Sequence, residues 1–178
     1  MDSSHAEGFD KIRLLFVCTY NSGRSQMAEA YTHAMASDRF IAESAGFMPR
    51  DVDVLVLEVM KADGIDLPGK KSGNIRLYWE EQRYYDYIIN VGEQALIKKI
   101  PPFPGNPRQL FWPFPDHRRF DGSRYERLQK LRNMRDRMKS QISAWTQAVG
   151  RAWAPAEKVI PFHPLSAASA REKLTPLR

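Results

Sequence analysis

The sequence predicts an α/β fold, a doubly wound four-stranded parallel sheet flanked by helices. Three features of the chain indicate it. Four short apolar segments recur along the sequence, segments with helical periodicity separate them, and Gly- or Pro-containing turns lie at the boundaries. Strands that alternate with helices are typical of a parallel sheet covered on both faces. At 178 residues the chain is long enough for one domain with a substantial core.

The first strand and the first helix enclose a short polar loop. Residues 11–17 read KIRLLFV, an apolar run typical of a strand buried on both faces. Asn21 and Gly23 then favour a tight turn. From Ser25 to Ala34 apolar residues recur every three or four positions, so we expect a helix there.

The middle of the chain repeats this alternation. The predicted strands are residues 40–44, 86–91 and 109–112, and the predicted helices are residues 52–62 and 76–82. Gly64 marks the end of the first of these helices. The chain therefore carries four strands in all.

The last helix has the clearest pattern. Ser123 and Glu126 form a capping box, which satisfies free amides at a helix N-terminus. An apolar stripe then runs from Leu128 to Val149, and prolines recur after Gly150. We predict a flexible N-terminus at residues 1–10, the α/β domain at residues 11–150 and a Pro-rich C-terminal tail at residues 151–178.

Composition and charge exclude several classes of protein. No apolar run reaches the roughly 18–20 residues that span a bilayer, and the first ten residues do not form a signal peptide. Cys18 is the only cysteine, which excludes an internal disulfide and a Cys-rich zinc site and favours the reducing cytoplasm. The four histidines lack metal-ligand spacing, so no metal or cofactor is expected. A net charge of +6 favours anionic substrates.

Residues 18–25 follow the first strand, where parallel sheets place their ligand sites. Backbone N–H groups that converge at the start of a helix bind anions, and the same field favours the thiolate form of Cys18. Arg24 offers a planar fork to two oxygens of a tetrahedral anion. Ser25 is placed to donate to the sulfur, and Asn21 to brace the loop. The predicted anion-binding residues are Thr19, Tyr20, Asn21, Ser22, Gly23, Arg24 and Ser25.

An alternative interpretation makes Cys18 a small buried residue at a strand end and Arg24 a surface residue. The position of both between a buried strand and an amphipathic helix favours a nucleophile and an anion clamp.

Residues 17–29 read VCTYNSGRSQMAE and resemble the signature loop and following helix of the low-molecular-weight tyrosine phosphatases and of the arsenate reductases built on the same fold. The resemblance covers about residues 12–145, including the segments 43–46, 58–60, 64–66, 103–105 and 111–116. Its later part is more similar to the arsenate reductases. It implies a four-stranded parallel sheet, Cys18 as nucleophile, Arg24 as anion clamp and Asp116 as general acid.

A general acid at Asp116 also makes chemical sense. Transfer of a phosphoryl group to cysteine expels an alkoxide or phenoxide, and a carboxylic acid beside the leaving oxygen supplies its proton. The resulting carboxylate can activate the water that hydrolyses the intermediate. The alternative is a turn residue after Pro115, and the resemblance favours the catalytic role.

The sequence departs from the family pattern at several positions. Gly92 and Ile100 stand near the usual positions of the reductase relay cysteines, so an internal disulfide relay is excluded. Tyr20 stands where the family usually has Gly. His117 replaces the Pro that commonly follows the acid, and a solvated histidine is its simplest interpretation.

We expect a phosphomonoester hydrolase of the phosphotyrosine type that acts through a cysteinyl-phosphate intermediate on a phosphorylated protein or small molecule. One alternative is an arsenate reductase that uses an external thiol or redoxin. Another is a catalytically silent protein that binds anions or nucleic acid, since the last helix is basic. We favour a solvated face for those charges, and expect neither a nucleic-acid nor a membrane partner. The basic residues are Arg124, Arg127, Lys130, Arg132, Arg135, Arg137 and Lys139.

Overall fold

The computed structural model describes residues 11–67 and 71–152. The strands are β1 (Ile12–Cys18), β2 (Phe40–Gly46), β3 (Tyr87–Asn90) and β4 (Arg108–Phe111); the helices are α1 (Arg24–Ala36), α2 (Val54–Ala62), α3 (Ile75–Glu80) and α4 (Arg124–Ala152). Short 3-10 helices at Gln94–Lys99 and His117–Arg119 were not predicted. The predicted order of strands and helices is confirmed, and their bounds differ from the predicted ones by one or two residues.

The four strands form one parallel sheet in the order β2-β1-β3-β4, so the predicted fold class is confirmed. Parallel pairing brings the carboxyl ends of all four strands to one edge. There Cys18 pairs with Gly46, Val17 pairs with Asn90, and Asn90 pairs with Phe111. The loop after β1 therefore opens at the edge where the other three strands also end.

Apolar side chains cover both faces of the sheet. Leu14 and Phe16 of β1 face a core built with α1, α2 and α4. Leu15 and Val17 face the opposite side, where Ile75 of α3 packs. This alternation follows from the two-residue period of a strand, and it explains why β1 is apolar at nearly every position.

Helix α4 covers the larger core with its predicted apolar stripe. Its buried residues include Leu128, Leu131, Met134, Met138 and Ile142, and Trp145 and Val149 pack against the same core. The predicted end at Gly150 is wrong, because the helix continues through Arg151 to Ala152. A glycine near a helix end costs only about 1 kcal/mol relative to Ala and does not force termination. Residues 1–10 and the remainder of the predicted tail, 153–178, lie outside the described residues.

Several basic residues of α4 form ion pairs. Three of the partners lie on α2, directly after it, or in the turn that precedes α4. These pairs are Arg124–Glu58, Lys139–Asp63 and Lys130–Asp121, and Arg135 pairs with Asp136 of the same helix. The interpretation of these charges as a solvated face stays a prediction. Within residues 11–67 and 71–152 no helix is long and apolar enough to cross a membrane.

Candidate active site

The loop between β1 and α1 surrounds the sulfur of Cys18. This cysteine is 2% exposed. The backbone N–H of Asn21 donates to its Sγ at 3.3 Å, and the Oγ of Ser25 lies 3.0 Å from the same sulfur. Asn21 adopts a left-handed conformation with φ 49°, which Asn tolerates better than most residues and which turns the chain back over the sulfur. The predicted contact between Ser25 and Cys18 is therefore present.

The side chain of Asn21 braces the loop, as expected. Its Nδ2 donates to Ser25 Oγ and to Ser44 Oγ, each at 2.8 Å, and its Oδ1 accepts from the Gly73 N–H at 2.8 Å. Because Ser25 Oγ accepts from Asn21, its own proton is available for the sulfur. Ser44 Oγ in turn donates to Glu29 Oε2 at 2.6 Å. A buried chain of hydrogen bonds thus joins Cys18 to α1 and β2.

Sequence reasoning did not single out Ser44 or Glu29 as members of the site. Both are buried, with exposures of 1% and 6%. Each lies within a segment that carries the family resemblance, and this is the sequence feature that could have identified them. Their contribution depends on pairing between α1, β2 and the loop, which no local pattern displays.

The connection from β2 to α2 supports the loop from outside. Backbone N–H groups of this connection donate to loop carbonyls at 2.9–3.0 Å: Met48 to Thr19, Arg50 to Tyr20 and Asp53 to Ser22. Gly46 lies so close that a Cβ there would be 2.7 Å from the nitrogen of Asn21. The loop carbonyls are thus held by the connection while the Asn21 N–H faces the sulfur. That orientation is what an anion cradle requires.

Arg24 points into the site and is 2% exposed. Its NH1 and NH2 both donate to Glu93 Oε1 at 3.1 Å, and NH1 also donates to the carbonyl of Phe114 at 3.2 Å. Its NH2 lies 3.9 Å from Asp116 Oδ1. The structure therefore brings together Arg24 and Asp116, which are far apart in the sequence.

Glu93 is a member of the site that the sequence analysis missed. It also accepts a hydrogen bond from Thr19 Oγ1 at 2.5 Å. Burial opposes its charge, but the hydrogen bond from Thr19 and the charge of Arg24 outweigh that effect, so the pKa of Glu93 lies below its ordinary value. An acidic residue just after β3, at the edge where ligands bind, was the signal that pointed to it.

Asp116 begins the second 3-10 helix, and its Oδ1 accepts from the Arg118 N–H at 3.1 Å. Trp112 and Phe114 are 8% and 5% exposed, so the segment that leads to Asp116 is anchored in the core. The core-anchored segment before Asp116 and the 3-10 helix after it therefore fix the position of its carboxyl group.

His117 is buried, with an exposure of 5%, so the expectation of a solvated histidine is wrong. Its ring packs on Gly23, where an added Cβ would lie 2.4 Å from Cε1. Nε2 lies 3.6 Å from Asp53 Oδ2 and Nδ1 lies 4.0 Å from Asp116 Oδ1, and neither nitrogen has a hydrogen-bond partner within residues 11–67 and 71–152. Burial lowers the pKa of His117, although the two carboxylates act in the opposite direction.

The ring of Tyr20 lies against two arginines that are exposed to solvent. The Cζ atoms of Arg50 and Arg118 lie 4.5 Å and 4.3 Å from the centre of that ring. The hydrogen bond from the Arg50 N–H to the Tyr20 carbonyl is retained. A bulky residue at this position is therefore compatible with the hydrogen bonds that shape the loop.

The relay position Gly92 lies directly beside the nucleophile candidate. A Cβ there would be 3.2 Å from the Cα of Cys18. A side chain at position 92 would therefore lie against Cys18, and this chain has glycine there. In the part of the chain that the structure describes, no group of three His, Cys, Asp or Glu residues is arranged to hold a metal ion.

Comparison with known proteins finds relatives among the arsenate reductases, in sequence and in structure. An arsenate reductase from Halalkalibacterium halodurans is 29% identical over 135 residues, which are 75% of this chain and 94% of that protein. The thioredoxin-dependent arsenate reductase of Corynebacterium glutamicum superimposes with a TM-score of 0.63 at 22% identity. That match covers 82% of this chain and 65%, less than two thirds, of the other.

A phosphatase shares the fold as well. The YwlE arginine phosphatase from Geobacillus stearothermophilus superimposes with a TM-score of 0.63 at 19% identity, over 79% of this chain and 94% of that one. The family model described as low molecular weight phosphotyrosine protein phosphatase matches residues 13–153. Since that match spans most of the sequence and includes the whole loop around Cys18, the chain belongs to the low molecular weight phosphotyrosine protein phosphatase family.

Proposed function

We propose that this protein is a cysteine-dependent phosphomonoester hydrolase of the phosphotyrosine type. One observation carries the proposal: the buried sulfur of Cys18 receives a loop N–H and adjoins the hydroxyl of Ser25, at the base of a loop that also presents Arg24. Hydrogen bonds to sulfur stabilise the thiolate, which is the nucleophilic form of cysteine. A reducing cytoplasm would keep this single thiol in the reduced state.

In the first step the thiolate attacks phosphorus in line with the ester oxygen. The S–P bond forms as the P–O bond to the leaving group breaks. Backbone N–H groups of residues 19–25 and the guanidinium of Arg24 hold the three remaining phosphoryl oxygens. Asp116, 3.9 Å from Arg24, donates its proton to the leaving alkoxide or phenoxide.

In the second step water attacks the phosphoryl group on sulfur. The Asp116 carboxylate accepts a proton from that water, the S–P bond breaks and inorganic phosphate forms. The hydroxyl of Ser25 and the N–H of Asn21 stabilise the departing thiolate, because both contact the sulfur. Asn21, Ser44 and Glu29 hold these groups in place before substrate arrives, so little reorganisation is needed during reaction.

Hydrolysis of a series of aryl phosphates tests the proposal. Cys18→Ser is expected to abolish turnover. Asp116→Asn is expected to lower kcat by about 10²- to 10⁴-fold for poor leaving groups, and by less for acidic phenols that leave unaided. Asp38→Asn, an exposed carboxylate paired with Arg39, is the matched control and should retain full activity. Equal activity in Cys18→Ser and the unaltered protein would disprove the mechanism.

A second candidate activity is arsenate reduction with an external thiol, which the names of the curated relatives favour. The thiolate of Cys18 would displace hydroxide from arsenate and form an S–As bond. An external thiol would then attack the cysteine sulfur, so that a mixed disulfide forms and the S–As electron pair leaves with arsenite. A second thiol, or a redoxin, would reduce that disulfide.

Consumption of glutathione, mycothiol or a reduced redoxin in the presence of arsenate measures this reaction. Consumption that requires both arsenate and Cys18 would support it. If thiol levels stay constant while aryl phosphates are hydrolysed, arsenate reduction is excluded and the phosphatase activity remains.

A further inference from the structure

We propose that Arg50 and Arg118, both in contact with the ring of Tyr20, form a subsite for an acidic side chain next to the phosphorylated residue of a peptide substrate. We call these three residues the arginine rim. The inference rests on the proposed phosphatase function and extends it to the class of substrate. Under this proposal, the preference for one peptide over another depends on the arginine rim and not on the loop groups that bind the phosphate.

The rim is assembled from three segments that meet at the loop. Tyr20 lies two residues after Cys18, Arg50 lies in the β2–α2 connection, and Arg118 lies two residues after Asp116. The Arg50 N–H bonds to the Tyr20 carbonyl at 3.0 Å, and the Arg118 N–H bonds to Asp116 Oδ1 at 3.1 Å. The backbone of Arg50 is thereby fixed to Tyr20, and the backbone of Arg118 is fixed to Asp116. The rim therefore has a defined position beside the loop around Cys18.

The two guanidinium groups share one ring and carry like charges. Their Cζ atoms lie 4.5 Å and 4.3 Å from its centre, so they are no farther apart than the sum of these distances. Contact with an aromatic face holds each cation in place without neutralising it. Both arginines are exposed to solvent.

Neither rim arginine has a carboxylate partner within 4.0 Å among residues 11–67 and 71–152. Two acids near the rim are engaged elsewhere: Asp116 lies near Arg24, His117 and Arg119, and Asp53 lies near His117 and caps α2. The exposed Asp51, next to Arg50 in sequence, forms no ion pair with either rim arginine. The basic residues of α4, in contrast, include four with acidic partners. Unpaired like charges beside an anion-binding loop raise the local concentration of anions, so the rim is suited to a second anionic group.

A carboxylate fits the rim chemically, because a guanidinium presents two parallel N–H donors to its oxygens. Geometry restricts where that carboxylate belongs. The phosphate is held at Cys18, two residues from Tyr20, and neighbouring residues of a peptide have their Cα atoms about 3.8 Å apart. The rim adjoins the loop that would hold the phosphate, so the proposal assigns it to an Asp or Glu next to the phosphorylated tyrosine in sequence.

Binding of two non-hydrolysable phosphonate peptides tests the inference without turnover. One carries Glu on both sides of the phosphotyrosine analogue and the other carries Gln. By calorimetry in low salt, the Glu peptide should bind about 3- to 10-fold more tightly, as expected for two exposed ion pairs. The ratio should decline toward one in high salt, because these charges are exposed.

In the double variant Arg50→Gln/Arg118→Gln the ratio should fall to about one. The control is Arg39→Gln/Arg151→Gln, which removes the same charge near the opposite end of β1. There the Arg39 carbonyl accepts from the Ile12 N–H, and the Arg39 side chain donates to the carbonyl of Gly150, the residue before Arg151. That control should keep the full ratio.

Three results would overturn the proposal: equal binding of both peptides by the unaltered protein, a preference that survives in the rim variant, or an equal loss in the control. A preference that survives in the rim variant would assign it to residues other than the rim, and an equal loss in the control would assign it to the overall charge of +6. If glutathione binds to the unaltered protein but not to the rim variant while both peptides bind equally, the rim serves a carboxylate-bearing thiol and the peptide assignment is wrong. A retained ratio in a protein that fails to hydrolyse aryl phosphates would refute the phosphatase function and leave the rim intact.

Discussion

Replacing Gly46 with Ala tests whether the loop backbone is the anion cradle. The new Cβ would lie 2.7 Å from the nitrogen of Asn21 and 2.7 Å from the carbonyl carbon of Tyr20. Both are backbone atoms, so no side-chain rotation relieves the contact. The Asn21 N–H is the same group that donates to Cys18 Sγ. The substitution therefore pushes on the part of the loop that the proposed mechanism needs most.

The size of the effect follows from these distances. Ordinary contacts begin near 3.4 Å, so the loop must move by roughly 0.7 Å or more. A displacement of about 1 Å at a reacting group costs about 10²-fold in rate. Overpacking by one methyl group costs about 1–3 kcal/mol, and each kcal/mol lowers Tm by about 2–4 °C in a protein of this size. We expect kcat/KM for aryl phosphates to fall about 10²-fold and Tm to fall by several degrees.

Steady-state kinetics and differential scanning calorimetry measure the two effects. Gly150→Ala is the matched control, because a Cβ there meets only the flexible side chain of Arg39 and the ring of Phe40. It should leave activity unchanged and keep or raise Tm, since Ala is the better helix residue. If Gly46→Ala retains full kcat/KM while folded, the loop amides do not position the oxyanion and the reasoning fails.

Two further predictions concern His117 and Glu93, two ionisable side chains near the loop. The pKa of His117 is lowered by burial against the opposing effect of Asp53 and Asp116, so unfolded chains bind more protons and the free energy of unfolding falls as pH drops below about 6.5. Urea titrations from pH 7 to 5 should show a flatter pH dependence in His117→Gln, and an identical slope in both proteins would contradict the assignment. Glu93→Gln removes the carboxylate that occupies Arg24, so inorganic phosphate should bind about 3- to 10-fold more tightly by calorimetry. Weaker binding would show that Glu93 serves to orient Arg24.

The parts of the site that could be predicted are contiguous in the sequence. A buried strand, a tight turn and an amphipathic helix identify the loop around Cys18, because each has a local period or turn residue. The resemblance then added Asp116, which the structure places beside Arg24. The parallel sheet followed from the alternation of strands and helices alone.

The parts that escaped prediction depend on distant pairing. Glu93 reaches Arg24 across 69 positions of sequence, and the burial of His117 requires Gly23 to pack beneath its ring. The rim needs Arg50 and Arg118 to meet at Tyr20, although the three come from separate segments. The predicted tail began after Gly150, but α4 continues for two more residues, both exposed. Local sequence patterns do not show which residues from distant segments come into contact.

The position of α4 in the chain has a consequence for synthesis. This helix is made after all four strands, yet it covers α1 and α2, and its Arg135 bonds to the carbonyl of Val59, 76 positions earlier. Contacts of such long range slow folding. On the ribosome the larger apolar face stays open to water until residues 124–152 emerge. A nascent chain that stalls in this interval displays that face to its neighbours and is prone to aggregate.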